Sequence, residues 1–376
     1  MAPKSMFKKP LLLLVILLAG LVLASCRAGT GTIPRGWSGG IIDNGILYIG
    51  SMAGELVAAN ITDGSRLWAV PLETPPASGG GFSCAPPATA VAIYSSPAIA
   101  GDLVYVGGYN GKIYAFASGK DKWQWEYPRR AVLDPIVGGL VVTEDSVYFG
   151  SSNGKVYALE ADGLFEKWDN PFETGGKIWS TPAISEDTLY IGSFDKKLYA
   201  LNTTDGRQKW QFATEGAIVA TPVVDNSTVY IGSFDRYLYA LDANDGHLKW
   251  KSLAENWFWA KPIIHNDTIY AANLDGKVYI LDAETGTKLV EPFDLGSPLS
   301  SSPVLVGNSI IVATGEGAVY ALDTGSNRQR LLVNLEEKVF APLIANQGKV
   351  YLHTTRDSLY EIDAQSGAVR EINIKE

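Results

Sequence analysis

Four aspartates recur at one spacing: Asp242, Asp282, Asp323 and Asp363. Grouped carboxylates can exchange protons or hold a hard cation, and His247, His265 and His353 are the other side chains that could carry a proton or a metal. Each aspartate, however, follows an aliphatic run and precedes a glycine or serine-rich bend. A side-chain oxygen there serves the backbone of a turn. The histidines fall at a late turn of one unit, at a turn before a strand, and at a strand position otherwise held by small residues. That scatter has no metal-ligand spacing, and the chain contains neither G-x-S-x-G nor a P-loop. Catalysis is therefore not expected.

The elements that carry these residues repeat. In IVATPVVDNSTVYIGSFDRYLYALDANDGHLKW, residues 218–250, four short β-branched and aromatic runs alternate with turns. The first tyrosine, Tyr230, has equivalents Tyr48, Tyr105, Tyr148, Tyr190, Tyr270, Ile311 and Tyr351. The second, Tyr239, has equivalents Val57, Tyr114, Tyr157, Tyr199, Tyr279, Tyr320 and Tyr360. The two positions stand 9 residues apart in every copy, and successive copies lie 57, 43, 42, 40, 40, 41 and 40 residues apart. Four strands per period of about 40 residues are the mark of a propeller, so the sequence predicts an all-β chain of eight four-stranded antiparallel blades. Asn110-Gly111, Asn153-Gly154 and Asp275-Gly276 predict two-residue hairpins with both residues at positive φ. Trp68, Trp125, Trp168, Trp210 and Trp250, each 11 residues past the second tyrosine position, are placed to wedge between blades.

The units YIGSFDRYLYALDANDGHLKW and YIGSFDKKLYALNTTDGRQKW resemble the repeats of the pyrroloquinoline-quinone (PQQ) class of propellers, with the tryptophan-docking pattern A-x-D-x-x-x-G-x-x-x-W. The resemblance covers about residues 37–374. It implies the fold and, for the quinoprotein dehydrogenases of the class, a bound quinone and calcium. Those enzymes often carry an adjacent-cysteine disulfide, which this chain lacks. Neither PQQ nor calcium is expected here. Eight such blades behind an export signal look more like the lipoprotein of the outer-membrane β-barrel assembly machinery, in which the propeller is a scaffold without catalytic activity. That resemblance implies an envelope protein as partner.

Residues 1–25 read as a lipoprotein signal peptide. Lys4, Lys8 and Lys9 precede the apolar run Leu11–Leu23, and Leu23-Ala24-Ser25-Cys26 matches a lipobox. The match implies cleavage before Cys26 and a lipid on that cysteine. The alternative is an uncleaved membrane anchor, for which the apolar run is short. Arg27 follows the cysteine, where the aspartate that retains lipoproteins in the inner membrane is absent. The expected location is thus the outer membrane if the cell has one, and otherwise the outer face of the cytoplasmic membrane. Cleavage removes three lysines and no acid, taking the formal charge from −9 to −12. Such a balance argues against nucleic acid as a partner. Residues 26–36 form the lipidated cysteine and a tether, and residues 37–376 the propeller, expected as a monomer apart from its partner. Residues 69–93, rich in Pro, Gly and Ala, predict a surface insertion. It carries Cys84, either a free thiol open to intermolecular pairing or a small buried hydrophobe.

What remains for function is binding. Trp179 and Trp257-Phe258-Trp259 fall in loops that lead from one blade's outermost strand to the next blade's innermost strand, and Arg129, Arg130 and Phe340 lie in equivalent loops. Aromatic rings beside arginine are the material of interface hot spots, although rings of this kind also serve simply to pack loops onto blades. The sequence therefore points to a non-catalytic binding scaffold. The second possibility is a quinone- or carbohydrate-binding sensor, or a PQQ-dependent dehydrogenase-like protein, using the channel mouth.

Overall fold

The computed structural model describes residues 36–72 and 91–375. The signal peptide, Cys26, most of the tether and Cys84 lie outside the described residues. Within them stand eight four-stranded antiparallel sheets, each built from four strands consecutive in the chain. In blade 5 these are Val223–Asp225, Thr228–Gly232, Tyr237–Asp242 and Leu248–Leu253. The second and third strands of each blade are the most deeply buried, because both of their faces meet a neighbouring sheet. The core accordingly divides into eight apolar clusters, one at each contact between adjacent blades.

One repeated blade-to-blade device uses the tyrosine and tryptophan together. Tyr190 Oη and Trp210 Nε1 of blade 4 both donate to the carbonyl of Ala243 in blade 5, at 3.1 and 2.9 Å. Tyr230 and Trp250 do the same to Ala283, and Tyr148 and Trp168 to Thr203. Gly246 lies under the Trp210 ring at φ 76°, and a Cβ there would come 2.6 Å from the indole. Only glycine supplies both the left-handed backbone and the room. The recurring aspartates are the turn residues expected. Asp363 Oδ1 accepts from Gln365 N and Ser366 N at 3.1 and 2.7 Å, and Asp282 Oδ1 from Glu284 N and Thr285 N at 3.1 and 2.7 Å.

Two local expectations are corrected. Two-residue turns with both residues at positive φ occur between the first and second strands, as at Asn226-Ser227 (45° and 56°) and Asn266-Asp267 (49° and 55°). The Asn-Gly and Asp-Gly pairs sit instead between the second and third strands, in four-residue turns where only the last residue is left-handed. Gly154 has φ 82°, and Arg236 adopts 76° at the same place. There the side chain of the preceding residue caps the turn, as when Asp235 Oδ1 accepts from Tyr237 N at 3.0 Å, so that residue needs no positive φ. The insertion also begins later and ends earlier than 69–93. The outermost strand of blade 1 runs Arg66–Pro71, and Val91, Ala92 and Ile93 are buried.

Blade 8, Ile344–Asn346 through Val369–Ile372, shares no strand with blade 1 among the described residues. Polar side chains join them. Glu361, which replaces the alanine of most repeats, accepts from Lys349 Nζ and Arg370 Nη2 at 2.7 Å and from Tyr351 Oη at 3.1 Å. Arg370 also donates to the blade 1 carbonyls of Thr62, at 2.8 Å, and Ile61. His353, buried where other blades carry a small residue, places Nε2 2.9 Å from Asp357 Oδ1 and Nδ1 3.3 Å from Ser38 O. Asp357 in turn accepts from Met52 N at 2.8 Å.

Candidate functional site

One residue from each inter-blade loop faces the central channel just before the innermost strand. Five of these eight are aromatic: Trp37, Tyr94, Trp179, Trp259 and Phe340. Val137 and Val219 take two further places, and Ser300 the last. Buried serines of the next position bind one blade to the next and hold the rim. Ser38 Oγ donates to Ser95 O, Ser180 Oγ to Ala220 O and Ser301 Oγ to Ala341 O, at 2.7–2.8 Å.

The rings associate. Trp37 meets Tyr94 edge-on at 4.6 Å and Phe340 at 5.8 Å, and Tyr94 meets Tyr109 at 5.4 Å. Phe234 stacks on Trp257 at 4.6 Å and on Trp259 at 5.8 Å, and Phe194 meets Trp179 at 4.8 Å. Trp179 Nε1 also donates to Ser152 Oγ at 3.3 Å. A cavity of 100 Å³ lies in the channel mouth, and a cleft of 460 Å³ adjoins it, the two sharing Trp37, Trp259, Ser300 and Phe340. Leu274 and Pro298 extend the apolar wall of the cleft, and Lys338 and Glu316, 3.9 Å apart, add its charged pair.

The structure thus brings together Trp179, Trp257, Trp259 and Phe340, of which Trp257 and Phe340 are exposed. It separates three other residues assigned to this face. Phe258 is buried, 6.1 Å from Tyr279, because successive residues of the Trp257–Trp259 stretch point opposite ways. Its ring occupies the space above Gly232, where a Cβ would lie 2.3 Å from Phe258 Cβ. Arg129 is engaged with blade 3, donating to Gly163 O at 2.7 Å and lying 4.5 Å over the Phe165 ring. Arg130 beside it is exposed and lines neither cavity. Trp37 and Tyr94 join the rim because ring closure brings them there. Tyr109, Phe194, Phe234 and Leu274 occupy one repeat position, four residues after the first tyrosine, and that regularity is the signal that would have found them.

The phenol of Tyr239 shows how the turns on this face are fixed. Its Oη donates to Asp235 Oδ2 at 2.7 Å, and the same oxygen accepts from Glu215 N at 2.9 Å. Burial first, and the carboxylate second, push this phenol well above its ordinary value, so it remains a donor. The three histidines lie apart, His247 against Asp245 in blade 5, His265 against Asn266 in blade 6 and His353 in blade 8.

Fold and rim together define an eight-bladed PQQ-like propeller whose channel mouth is an aromatic, partly exposed surface. The sequence matches the family described as outer membrane protein assembly factor BamB over residues 35–170 and 166–370, and the chain belongs to that family. Among solved structures, BamB from Moraxella catarrhalis is similar at 19% identity and TM-score 0.70, covering 86% of this chain and 92% of that one. The computationally designed Ika8 protein is similar at 13% identity and TM-score 0.71, covering 88% and 97%. At these identities the likeness is one of fold. No curated protein matches the sequence.

Proposed function

We propose that this protein is a non-catalytic scaffold of the cell envelope, held to the membrane by a lipid on Cys26, and that it binds a protein partner through the aromatic channel mouth in outer-membrane protein assembly. The observation that carries the reading is the group of rings, Trp37, Trp259 and Phe340, around one apolar cleft. Rigid aromatic rings at the edge of a preformed pocket give a large contact area for little ordering entropy. The channel cavity of 100 Å³ is below the several hundred Å³ typical of small-molecule sites and the adjoining cleft of 460 Å³ is within that range, so the reading rests on the rings and not on cavity size. The family description supports the assembly role, and the lipobox supports the anchor and an outer-membrane location in a cell that has one. No PQQ or calcium enters this reading.

The test is affinity capture of the lipidated protein from its own membranes, with mass spectrometry, comparing wild type with a Trp259→Ala, Phe340→Ala double variant. Stoichiometric recovery of a β-barrel assembly protein, lost in the variant, is the expected result. Recovery of the propeller alone by wild type overturns the reading. Incorporation of labelled palmitate that Cys26→Ser abolishes checks the anchor.

A further inference from the structure

Two residues after each rim position, at the entry to the innermost strand, the eight blades carry Gly39, Ser96, Gly139, Thr181, Thr221, Lys261, Ser302 and Pro342. Six of these line the 100 Å³ cavity in the channel mouth, and no Asp, Glu, Lys, Arg or His is among its lining residues. Lys261, between Thr221 and Ser302 in the ring, is the one charged residue of the eight. It is exposed, yet the protein around its amine is dense enough for burial to hold the group below its ordinary value of 10.5. A side chain standing in the channel meets both conditions, and one on the outer surface does not. No carboxylate offsets that burial, and Lys261 Nζ has neither an ion pair nor a hydrogen bond among the described residues. Its neighbours in the ring have hydroxyl hydrogens to spare. Ser302 Oγ accepts from Lys261 N at 3.1 Å, and Thr181 Oγ1 from Gly139 N at 2.7 Å. Neither donates to a protein acceptor among the described residues, and Thr221 Oγ1, which makes no hydrogen bond there, is open to the cavity that its residue lines.

We propose that Lys261, with the hydroxyls of Thr221 and Ser302, forms an anion site in the central channel that takes a small free oxyanion, a carboxylate or a phosphate. The ammonium supplies the charge, and the hydroxyls donate to the remaining oxygens. An unneutralised cation beside unspent donors, with no acid facing them, is complementary to negative charge and to nothing else. The cavity of 100 Å³ limits the occupant to a few heavy atoms. The inference goes beyond the scaffold reading and does not depend on it.

The test is NMR titration of the whole protein with sodium acetate and with sodium phosphate at constant ionic strength, following the backbone amides of Thr221, Lys261 and Ser302, with acetamide as the neutral control. Saturable shifts with at least one anion, and none with acetamide, are expected. Acetate alone would identify a carboxylate as the occupant, and phosphate alone a phosphate. Lys261→Met should fold, because equivalent positions hold uncharged residues, and should weaken binding about tenfold or more, the effect of removing a charged donor. Thr221→Val should weaken it less and leave the site selective for anions. The bound anion should also raise the melting temperature of wild type more than that of Lys261→Met, a difference that cancels the general effect of salt. No saturable shift with either anion, an equal response to acetamide, or unchanged affinity in Lys261→Met overturns the proposal. Capture of an assembly partner at the rim bears on none of these results.

Discussion

Arg370 lies 2.7 Å from Glu361 inside blade 8 and carries the rest of its guanidinium across to the carbonyls of Ile61 and Thr62 in blade 1. One residue thus neutralises a buried carboxylate and ties the last blade to the first. At the contact of blades 4 and 5 the corresponding carbonyl, that of Ala243, receives an indole and a phenol, from Trp210 and Tyr190. Arg330 makes the same substitution at the preceding contact, donating to Ala364 O at 3.2 Å. At these two contacts, where the strand carries no tryptophan, an arginine supplies the donor.

Arg370→Ala should therefore destabilise the ring more than an ordinary surface arginine would. It leaves Glu361 with Lys349 and Tyr351 only, and strands two blade 1 carbonyls. A loss of about 1–2 kcal/mol is expected, between the scales for a surface and a buried pair, because Glu361 is buried while the Arg370 side chain is 37% exposed. Urea denaturation followed by tryptophan fluorescence would measure it, and a loss under about 0.5 kcal/mol would place the pair among ordinary surface salt bridges.

The same pair sets a pH dependence. Burial pushes the Glu361 carboxyl up, but hydrogen bonds from Lys349, Arg370 and Tyr351 outweigh it and hold the group below its ordinary value of 4.5. Asp357 is likewise held below 3.8, where the contacts with His353 and Met52 N outweigh burial. A depressed carboxylate contributes stability that is complete above its ordinary value and lost as the pH falls through its folded one. Melting temperature should fall with pH below about 4.5. Glu361→Gln should melt lower than wild type at pH 7, with the gap shrinking in acid. A gap that stays constant down to pH 3 would show that Glu361 does not titrate with folding.

At the contact of blades 4 and 5, Trp210→Phe removes the indole donor and a small part of the ring's packing, and Tyr190 still serves Ala243. The expected cost is about 1 kcal/mol, against about 3–5 kcal/mol for Trp210→Ala, which empties an apolar cluster. Equal losses would mean that the hydrogen bond, and not the ring's packing, carries the contact.

Gly246→Ala should cost about 2 kcal/mol or more. It forces a left-handed alanine and drives a Cβ to 2.6 Å from the Trp210 ring. Combined with Trp210→Ala, the same substitution should cost less than it does alone, since the ring it strikes is gone. Additive losses would place the whole penalty in the backbone.

The repeat was legible because its physics is local. The 9-residue spacing of the two tyrosine positions fixes one hairpin, and Trp210 stands at a constant offset because its carbonyl partner does too. The candidate face was legible only in part, since its residues meet through ring geometry. Trp259 and Phe340 could be picked from their loops, but Trp37 reaches Phe340 only when the last blade returns to the first. Phe258 was misplaced because composition says that three rings are adjacent, while the backbone decides which of them turns inward. Arg129 was misplaced because its guanidinium finds a carbonyl and a ring on the neighbouring blade.

The hydrogen bonds from Tyr148, Tyr190 and Tyr230 all run one way, from each blade to its successor. The molecule is therefore a hoop with a sense of rotation, in which each of these blades grips the one ahead. The charged fastening of Arg370 marks where that hoop was joined.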